Sequence, residues 1–236
     1  MLVSDQEVLS SSLTQYSDYM KSAKKSSSKD GAAMVTRVGK KIAAATEQYL
    51  RNNGLESEIK NFAWEFNLVN DPQVNAFCMP GGKIVVYEGL MQLVSSDDEL
   101  AVVVGHEVAH AVAKHSNERM SQQLMAQYGA QILGQALSNK SAAVQKIGAS
   151  VYGLGAQYGV MLPFSRKHES EADYMGLVFM AMAGYNPAVA VNFWQKMSAG
   201  KSGSTPEFMS THPSDATRIN EIKQHLPEIE KYRVKK

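Results

Sequence analysis

Two histidines four residues apart are the clearest candidates for chemistry in this chain. His106, Glu107 and His110 form an H-E-x-x-H pattern after a run of valines, within a stretch predicted to be helical. Residues four apart share one face of a helix, so both imidazoles can bind one metal ion, with Glu107 placed to reach a metal-bound water. The pattern predicts a zinc site with Glu107 as its general base. The alternative is a metal-free pair of buried histidines, which would need other hydrogen-bond partners.

A third ligand must come from another element, because a catalytic zinc ion takes three protein ligands and keeps one open position. Glu169 and Asp173 lie four residues apart in a second segment predicted to be helical. Glu169 is the candidate ligand, and Asp173 could accept the second ring N–H of a ligand histidine. An ordinary solvated acidic face is the alternative, and spacing alone does not choose between the two.

The other four histidines are weaker candidates. His212 lies in a loop just before a predicted helix, where its ring could be placed over a metal. His115 follows His110 by five residues, about 140° further round a helix, and is predicted to pack at the helix end. His168 is predicted to lie at the surface or beside the site. His225 is assigned no chemistry, since it is expected in the last turn of a helix.

The elements that must position these residues are predicted to be mostly helices around a small sheet. Apolar–polar alternation over 64–69 and 75–87, with a turn at Pro80-Gly81-Gly82, predicts short strands. Ser96 and Glu99 form a predicted capping box for the helix that carries the histidine pair. The predicted helices cover 5–22, 31–52, 96–117, 119–160, 163–184, 187–198 and 214–227.

Composition excludes several classes of protein. Lys and Arg number 24 and Asp and Glu 23 in the 236 residues, so the net charge of +1 argues against a nucleic-acid partner. No run approaches about 18 consecutive apolar residues, so no transmembrane segment is predicted. The only cysteine, Cys78, cannot form an internal disulfide and is expected to act as a small buried residue.

The two motifs together match a known family. The chain resembles the zinc metallopeptidases of the CAAX prenyl protease (Ste24/HtpX-like) family, and among them the soluble bacterial cell-envelope type represented by BepA and LoiP. The resemblance covers about residues 60–222. Besides the motifs above it includes Asn75-Ala76-Phe77, Pro80-Gly81-Gly82, Gly89-Leu90, Gly184-Tyr185-Asn186-Pro187, His212-Pro213 and Arg218-Ile219.

The resemblance implies an α+β, mostly helical, zincin-like metallopeptidase domain with a small β-sheet whose edge strand lines the active-site cleft. It implies one Zn²⁺ per chain, bound by His106, His110 and Glu169. Glu107 matches the family's general base and acid. Asp173 matches the carboxylate that accepts a hydrogen bond from a zinc-ligand histidine.

The resemblance also implies roles for three further parts of the chain. His212 matches a histidine that lies over the zinc, either as a reversible fourth ligand that closes the site or as a donor to the tetrahedral oxyanion. Arg218 matches the arginine that accompanies this histidine, and both are candidate catalytic residues. Asn75, Ala76 and Phe77 match the start of the edge strand along which the substrate lies.

The expected function is that of a zinc-dependent metalloendopeptidase that hydrolyses extended or misfolded protein segments in cell-envelope quality control. Its partners would be unfolded or misfolded polypeptides. One alternative is a latent, metal-bound quality-control or binding module in which His212 covers the zinc. Another is a membrane-surface protein that uses 129–160, which is disfavoured because this segment lacks a Lys/Arg-rich polar face.

Two further expectations concern organisation and location. Residues 1–52 are predicted to form an N-terminal helical segment and residues 53–236 the zinc metallopeptidase domain, packed as one unit. The first residues contain no export signal. On the resemblance alone, the protein is nevertheless expected in the bacterial cell envelope, in the periplasm or lipid-anchored, with its signal absent from this sequence.

Overall fold

Helices dominate the computed structural model, which describes residues 3–123, 164–199, 206–214 and 216–234. This confirms the predicted α+β, mostly helical fold with a small sheet. Most of the predicted helical region at 119–160, and with it the proposed surface segment at 129–160, lies outside the described residues. In chain order the elements are α1 (Asp5–Ser22), α2 (Lys29–Asn52), a 3₁₀ helix (Glu56–Asn61), β1 (Glu65–Val69), β2 (Ala76–Met79), β3 (Lys83–Tyr87), α3 (Glu88–Met91), α4 (Asp97–Val112), α5 (Arg166–Met182), α6 (Val189–Ala199), α7 (Glu207–Thr211), α8 (Ala216–Ile229) and a second 3₁₀ helix (Glu230–Tyr232).

The three strands form one sheet in the order β1-β3-β2. The central strand β3 is buried along its whole length, and it pairs with β1 in parallel and with β2 antiparallel. The tight turn between β2 and β3 requires positive φ at Gly81 (93°) and Gly82 (80°), which glycine adopts without steric cost. The outer side of β1 meets residues 24–26, whereas β2 lies beside α4 and, among the described residues, is the edge strand of the sheet.

Helix α4 lies at the centre of the main hydrophobic core. Its residues from Leu100 to Ala111 are all buried, as expected of a helix that is covered on every side. Residues 35, 38 and 42 of α2 belong to the same core, while α1 packs in a smaller cluster against β1 and β3. Helix α2 is therefore packed with the rest of the fold, and the division at residue 52 stays a prediction.

Among the described residues, none of the helices combines the length and the apolar character needed to cross a membrane.

The helix that carries the histidine pair ends earlier than predicted. Helix α4 stops at Val112, Lys114 adopts a positive φ of 58°, and a new helical stretch begins at residue 115. The Lys114 ammonium group contacts Asp5 and lies 3.0 Å from the carboxylate of Glu58. The prediction of one continuous helix to residue 117 is therefore wrong. The break coincides with long-range ion pairs of Lys114 and not with a local glycine or proline, so the sequence around it gives no warning.

Candidate metal centre

Helices α4 and α5 bring three predicted ligands together. His106 and His110 project from α4 and Glu169 from the first turn of α5, and all three are buried. The Nε2 atoms of His106 and His110 are 3.1 Å apart. Glu169 places Oε2 at 3.4 Å from His106 Nε2 and Oε1 at 3.2 Å from His110 Nε2.

These distances fit a zinc ion. Ligand atoms bound tetrahedrally at about 2.0–2.1 Å are separated from one another by about 3.3–3.4 Å. One ligand atom from each of His106, His110, Glu169 and His212 lies within 4.8 Å of the others, and all four residues are buried. Two imidazole nitrogens and a carboxylate facing one point are the donor set that zinc prefers, so the residues present fit the metal.

Asp173 and Arg218 fix the orientation of His106. His106 Nδ1–H donates to Asp173 Oδ1 at 2.9 Å, which leaves the Nε2 lone pair directed at the metal position. Asp173 in turn accepts from Arg218 Nε at 2.6 Å and from Nη2 at 3.0 Å. The structure thus places Asp173 behind a ligand histidine, where the sequence-based interpretation put it.

The charge states of Glu169 and His110 match what a metal requires. Burial would raise the pKa of Glu169, but His212 and His106 hold that pKa well below its ordinary value. Burial lowers the pKa of His110 well below its ordinary range. An ionised carboxylate and a neutral imidazole are the forms in which these side chains bind zinc. Burial lowers the pKa of His106, but Glu169 and Asp173 outweigh this effect and raise that pKa to about 9, so metal binding displaces a proton from His106.

Glu107 lies between the metal position and the edge strand. Its Oε2 accepts the backbone N–H of Cys78 at 3.4 Å. Its Oε1 is buried, lies 3.3 Å from His212 Nε2 and receives no hydrogen bond from any described residue. Burial raises the pKa of Glu107, although His212 and His106 oppose the rise. A carboxyl group with a raised pKa and a free oxygen can accept a proton and return it.

His212 occupies the fourth corner of the site. Its Nδ1 lies 3.0 Å from Glu169 Oε1 and 3.3 Å from His106 Nε2. The short helix α7 positions it: the ring of Phe208 stacks on His212 with centroids 4.4 Å apart, and Phe208 N–H donates to the carbonyl of Val74. Of the two roles implied by the resemblance, this geometry matches a fourth ligand.

Arg218 lies behind the ligands rather than over the metal position. Besides its bonds to Asp173, its Nη1 is 2.6 Å from Glu169 Oε2 and donates to the carbonyl of Pro213 at 2.7 Å. The guanidinium group therefore connects Glu169 and Asp173 of α5 to the loop that carries His212. This arrangement suits positioning of the ligands, and a direct catalytic role for Arg218 stays a prediction.

The predicted substrate strand lies at the start of β2. Asn75 pairs with β3 through its carbonyl, which accepts Tyr87 N–H at 3.1 Å. In an antiparallel ladder, hydrogen-bonded pairs of residues alternate with pairs that exchange no hydrogen bond. The backbone N–H and C=O groups of Phe77 therefore face β3, whereas those of Ala76 and Cys78 point away from it. The outward N–H of Cys78 points at Glu107. The outer edge of β2 therefore runs directly past the candidate general base.

One residue of the site was not recognised from the sequence. His115 was expected to pack at a helix end, but its Nδ1 lies 2.9 Å from His110 Nδ1 and its Nε2 lies 3.3 Å from Glu171 Oε2. His168 is also buried, and its ring stacks on His115 with centroids 4.3 Å apart. The break at Lys114 turns His115 toward His110, and no sequence signal marks that break.

Comparison with known proteins identifies relatives. The profile of Peptidase family M48 matches residues 36–226. The chain is 36% identical over 205 residues to the mitochondrial metalloendopeptidase OMA1 of Schizosaccharomyces pombe, covering 83% of this chain and 53% of the relative. It is 40% identical over 168 residues to OMA1 of Arabidopsis thaliana, covering 71% and 33%. It is 33% identical over 174 residues to the beta-barrel assembly-enhancing protease of Yersinia pestis, covering 69% and 36%.

These matches correct one prediction and confirm others. The chain spans about half the length of the first relative and about a third of the other two. The predicted bacterial cell-envelope localisation is wrong, because the relatives in Schizosaccharomyces pombe, Arabidopsis thaliana and Saccharomyces cerevisiae are named as mitochondrial. Mitochondrial and bacterial proteins both occur among the relatives, so membership of the family does not identify a compartment. The matches confirm the predicted likeness to a metallopeptidase family, the residues for Zn²⁺ are present, and the chain belongs to Peptidase family M48.

Proposed function

We propose that this chain is the catalytic unit of a quality-control endopeptidase that cleaves extended or misfolded polypeptide segments. The observation that carries the proposal is the position of Glu107. This buried carboxyl group lies between a four-residue metal site and the side of β2 on which the described residues place no further strand. The narrower likeness to the CAAX prenyl protease group stays a prediction.

The residues of the site divide the chemical work between them. Zn²⁺ bound here would lower the pKa of water and polarise a peptide carbonyl. Glu107 holds the proton taken from the attacking water on its free Oε1 and then returns it to the leaving amine. His106, held by Asp173, and His110 direct their Nε2 atoms at the metal position.

The edge strand supports an extended substrate. A peptide that adds to β2 as a further strand would bond to the outward carbonyl groups of Ala76 and Cys78, with little dependence on side-chain sequence. It would bond to their N–H groups once these left Asn75 Oδ1 and Glu107 Oε2. Such pairing needs several residues in a row without secondary structure of their own. A compact domain offers no such stretch, so unfolded segments are the expected substrates.

Glu107→Gln tests the proposal. Casein and a reduced, unfolded protein would be incubated with the wild type and the variant, with bound zinc measured in the same samples. Glu56→Gln is the matched control, because Glu56 is exposed on the 3₁₀ helix far from any ligand in sequence. We expect cleavage by the wild type and the control, and loss of cleavage in Glu107→Gln with zinc retained. Equal cleavage by all three proteins would contradict the role of Glu107.

A second candidate function is a latent metal-bound module. The position of His212 Nδ1 supports it, since this atom lies 3.0–3.3 Å from ligand atoms of Glu169 and His106 and so takes the place of a water. In that form the site would bind metal and turn over little substrate until His212 moved away. The His212 variant described in the Discussion distinguishes the two functions.

A further inference from the structure

We infer that His115 is a positioning residue for the metal ligand His110, and that His115 and Glu171 form a hydrogen-bonded chain from the metal centre to the protein surface. The inference rests on the zinc site proposed above. It concerns how one ligand is held, so it can be tested without measuring peptidase activity.

The contacts form a continuous path. His115 Nδ1 lies 2.9 Å from His110 Nδ1, with the two ring planes 74° apart. On the other side of the same ring, His115 Nε2 lies 3.3 Å from Glu171 Oε2. The side chain of His115 is 2% exposed and that of Glu171 48%, so the path leads from the buried site to solvent.

One arrangement of protons satisfies every contact on this path. His110 directs Nε2 at the metal position, so its Nδ1 carries the hydrogen and must donate. The Nδ1 of His115 then accepts with its lone pair, which places the hydrogen of His115 on Nε2. That N–H donates to the Glu171 carboxylate. A neutral His115 is therefore the acceptor that fixes the tautomer of His110.

The two ligand histidines are thus held by different groups. His106 donates to the Asp173 carboxylate, which is itself paired with Arg218. His110 donates instead to an imidazole, and the ring of His168 stacks on that imidazole at 4.3 Å and 22°. Removal of an outer hydrogen-bond partner of a metal ligand usually lowers metal affinity by about 10–100-fold. The same loss of metal affinity is expected when His110 loses the acceptor for its Nδ1–H.

The test compares two substitutions of His115 with one control. His115→Phe keeps an aromatic ring but removes the acceptor, whereas His115→Asn places an amide oxygen near the former Nδ1. His168→Phe is the packing control, because it alters the stack on His115 without removing the atom that faces His110. Zinc affinity would be measured by competition with a chelator. Ring N–H signals of the zinc-loaded, ¹⁵N-histidine-labelled proteins would be recorded by NMR.

We expect His115→Phe to bind zinc about 10–100-fold more weakly and to lose the protected Nδ1–H signal of His110 while keeping that of His106. His115→Asn should recover much of the affinity and the signal, and His168→Phe should keep both. Equal zinc affinity in the wild type and His115→Phe would overturn the inference. So would an equal loss in His168→Phe, which would show that packing alone matters. A wild type that bound no zinc would contradict the metal centre itself.

Discussion

Gly105 of α4 and Gly176 of α5 meet backbone to backbone at the crossing of the two ligand-bearing helices. A Cβ atom added to Gly105 would lie 2.6 Å from the carbonyl oxygen of Gly176. One added to Gly176 would lie 2.7 Å from both the carbonyl carbon of Gly105 and the backbone nitrogen of His106. The separation of the two backbones at this point therefore determines how closely the histidines of one helix approach the carboxylates of the other.

Gly176→Ala is expected to destabilise the fold and weaken the metal site. Overpacking at a close contact costs about 1–3 kcal/mol, and here the atoms in the way are backbone atoms that cannot rotate aside. The cost arises although alanine favours a helix over glycine by about 1 kcal/mol. Urea unfolding of the apo protein and zinc affinity would be measured side by side.

Gly31→Ala is the matched control for this prediction. Gly31 is also helical, but a Cβ there meets side-chain rather than backbone atoms, namely a terminal methyl of Leu68 and the Ser28 hydroxyl that caps the helix. We expect a much smaller change in the midpoint of unfolding and no change in zinc affinity. Unchanged zinc affinity in Gly176→Ala would show that the crossing does not set the geometry of the ligands.

The crossing also shows which parts of the site were predictable from the sequence. The pairing of His106 with His110 follows from the helix period alone, and the fold class follows from the family resemblance. The contact between Gly105 and Gly176 and the role of His115 were not predicted, because both depend on how separate segments pack. The ion pairs of Lys114 with Asp5 and Glu58 join residues far apart in the chain, and no local pattern reports them.

His212→Ala is expected to increase casein hydrolysis by the zinc-loaded protein. If His212 closes the site about nine-tenths of the time, its removal raises the rate about tenfold. His225→Ala is the control, since His225 is half-exposed on α8 and its ring contacts Glu228 and Tyr174, neither of which is a ligand. Loss of hydrolysis in His212→Ala, with zinc still bound, would instead identify His212 as a donor to the oxyanion.

Arg218→Lys is expected to weaken both the fold and the metal site. Lysine cannot make the paired bonds that the guanidinium group makes to Asp173, so a buried carboxylate is left incompletely paired. Breaking a buried ion pair costs about 3 kcal/mol or more, and zinc affinity should fall with it. Urea unfolding with and without zinc measures both effects. Arg233→Lys is the control, because Arg233 forms an exposed ion pair, and it should leave stability and zinc affinity unchanged. If Arg218→Lys also left both unchanged, the positioning role of Arg218 would be contradicted.

The Cys78 thiol is expected to resist alkylation in the native protein. Burial raises its pKa well above the ordinary value, and the nearby Glu107 raises it further. Since the thiolate is the reactive form, a thiol reagent at pH 8 should modify Cys78 only as the protein unfolds. The reaction would be followed in buffer and in urea. Fast native modification with release of zinc would show that Cys78 acts as a metal ligand or switch.

Glu65→Gln is expected to lower stability at neutral pH and to have little effect in acid. The Lys83 ammonium group, 2.6 Å from Glu65 Oε1, holds the pKa of Glu65 below its ordinary value against a smaller opposing effect of burial. A lowered native pKa contributes stability above the unfolded pKa of about 4.3, and this contribution is lost as the pH falls through the native pKa. The side chain of Glu65 is 51% exposed, so solvent screening limits the effect to about 1 kcal/mol.

Urea unfolding of the wild type and Glu65→Gln at several pH values between 3 and about 7 tests this predicted pH dependence of stability. The difference in free energy of unfolding should be largest above about pH 5 and should close as the pH approaches 3. Glu56→Gln serves as the control, because the Glu56 carboxylate is 78% exposed and lies 3.9 Å from the nearest paired cation, Arg51. A difference for Glu65→Gln that stayed constant across this pH range would show that its carboxylate charge is not what stabilises the sheet.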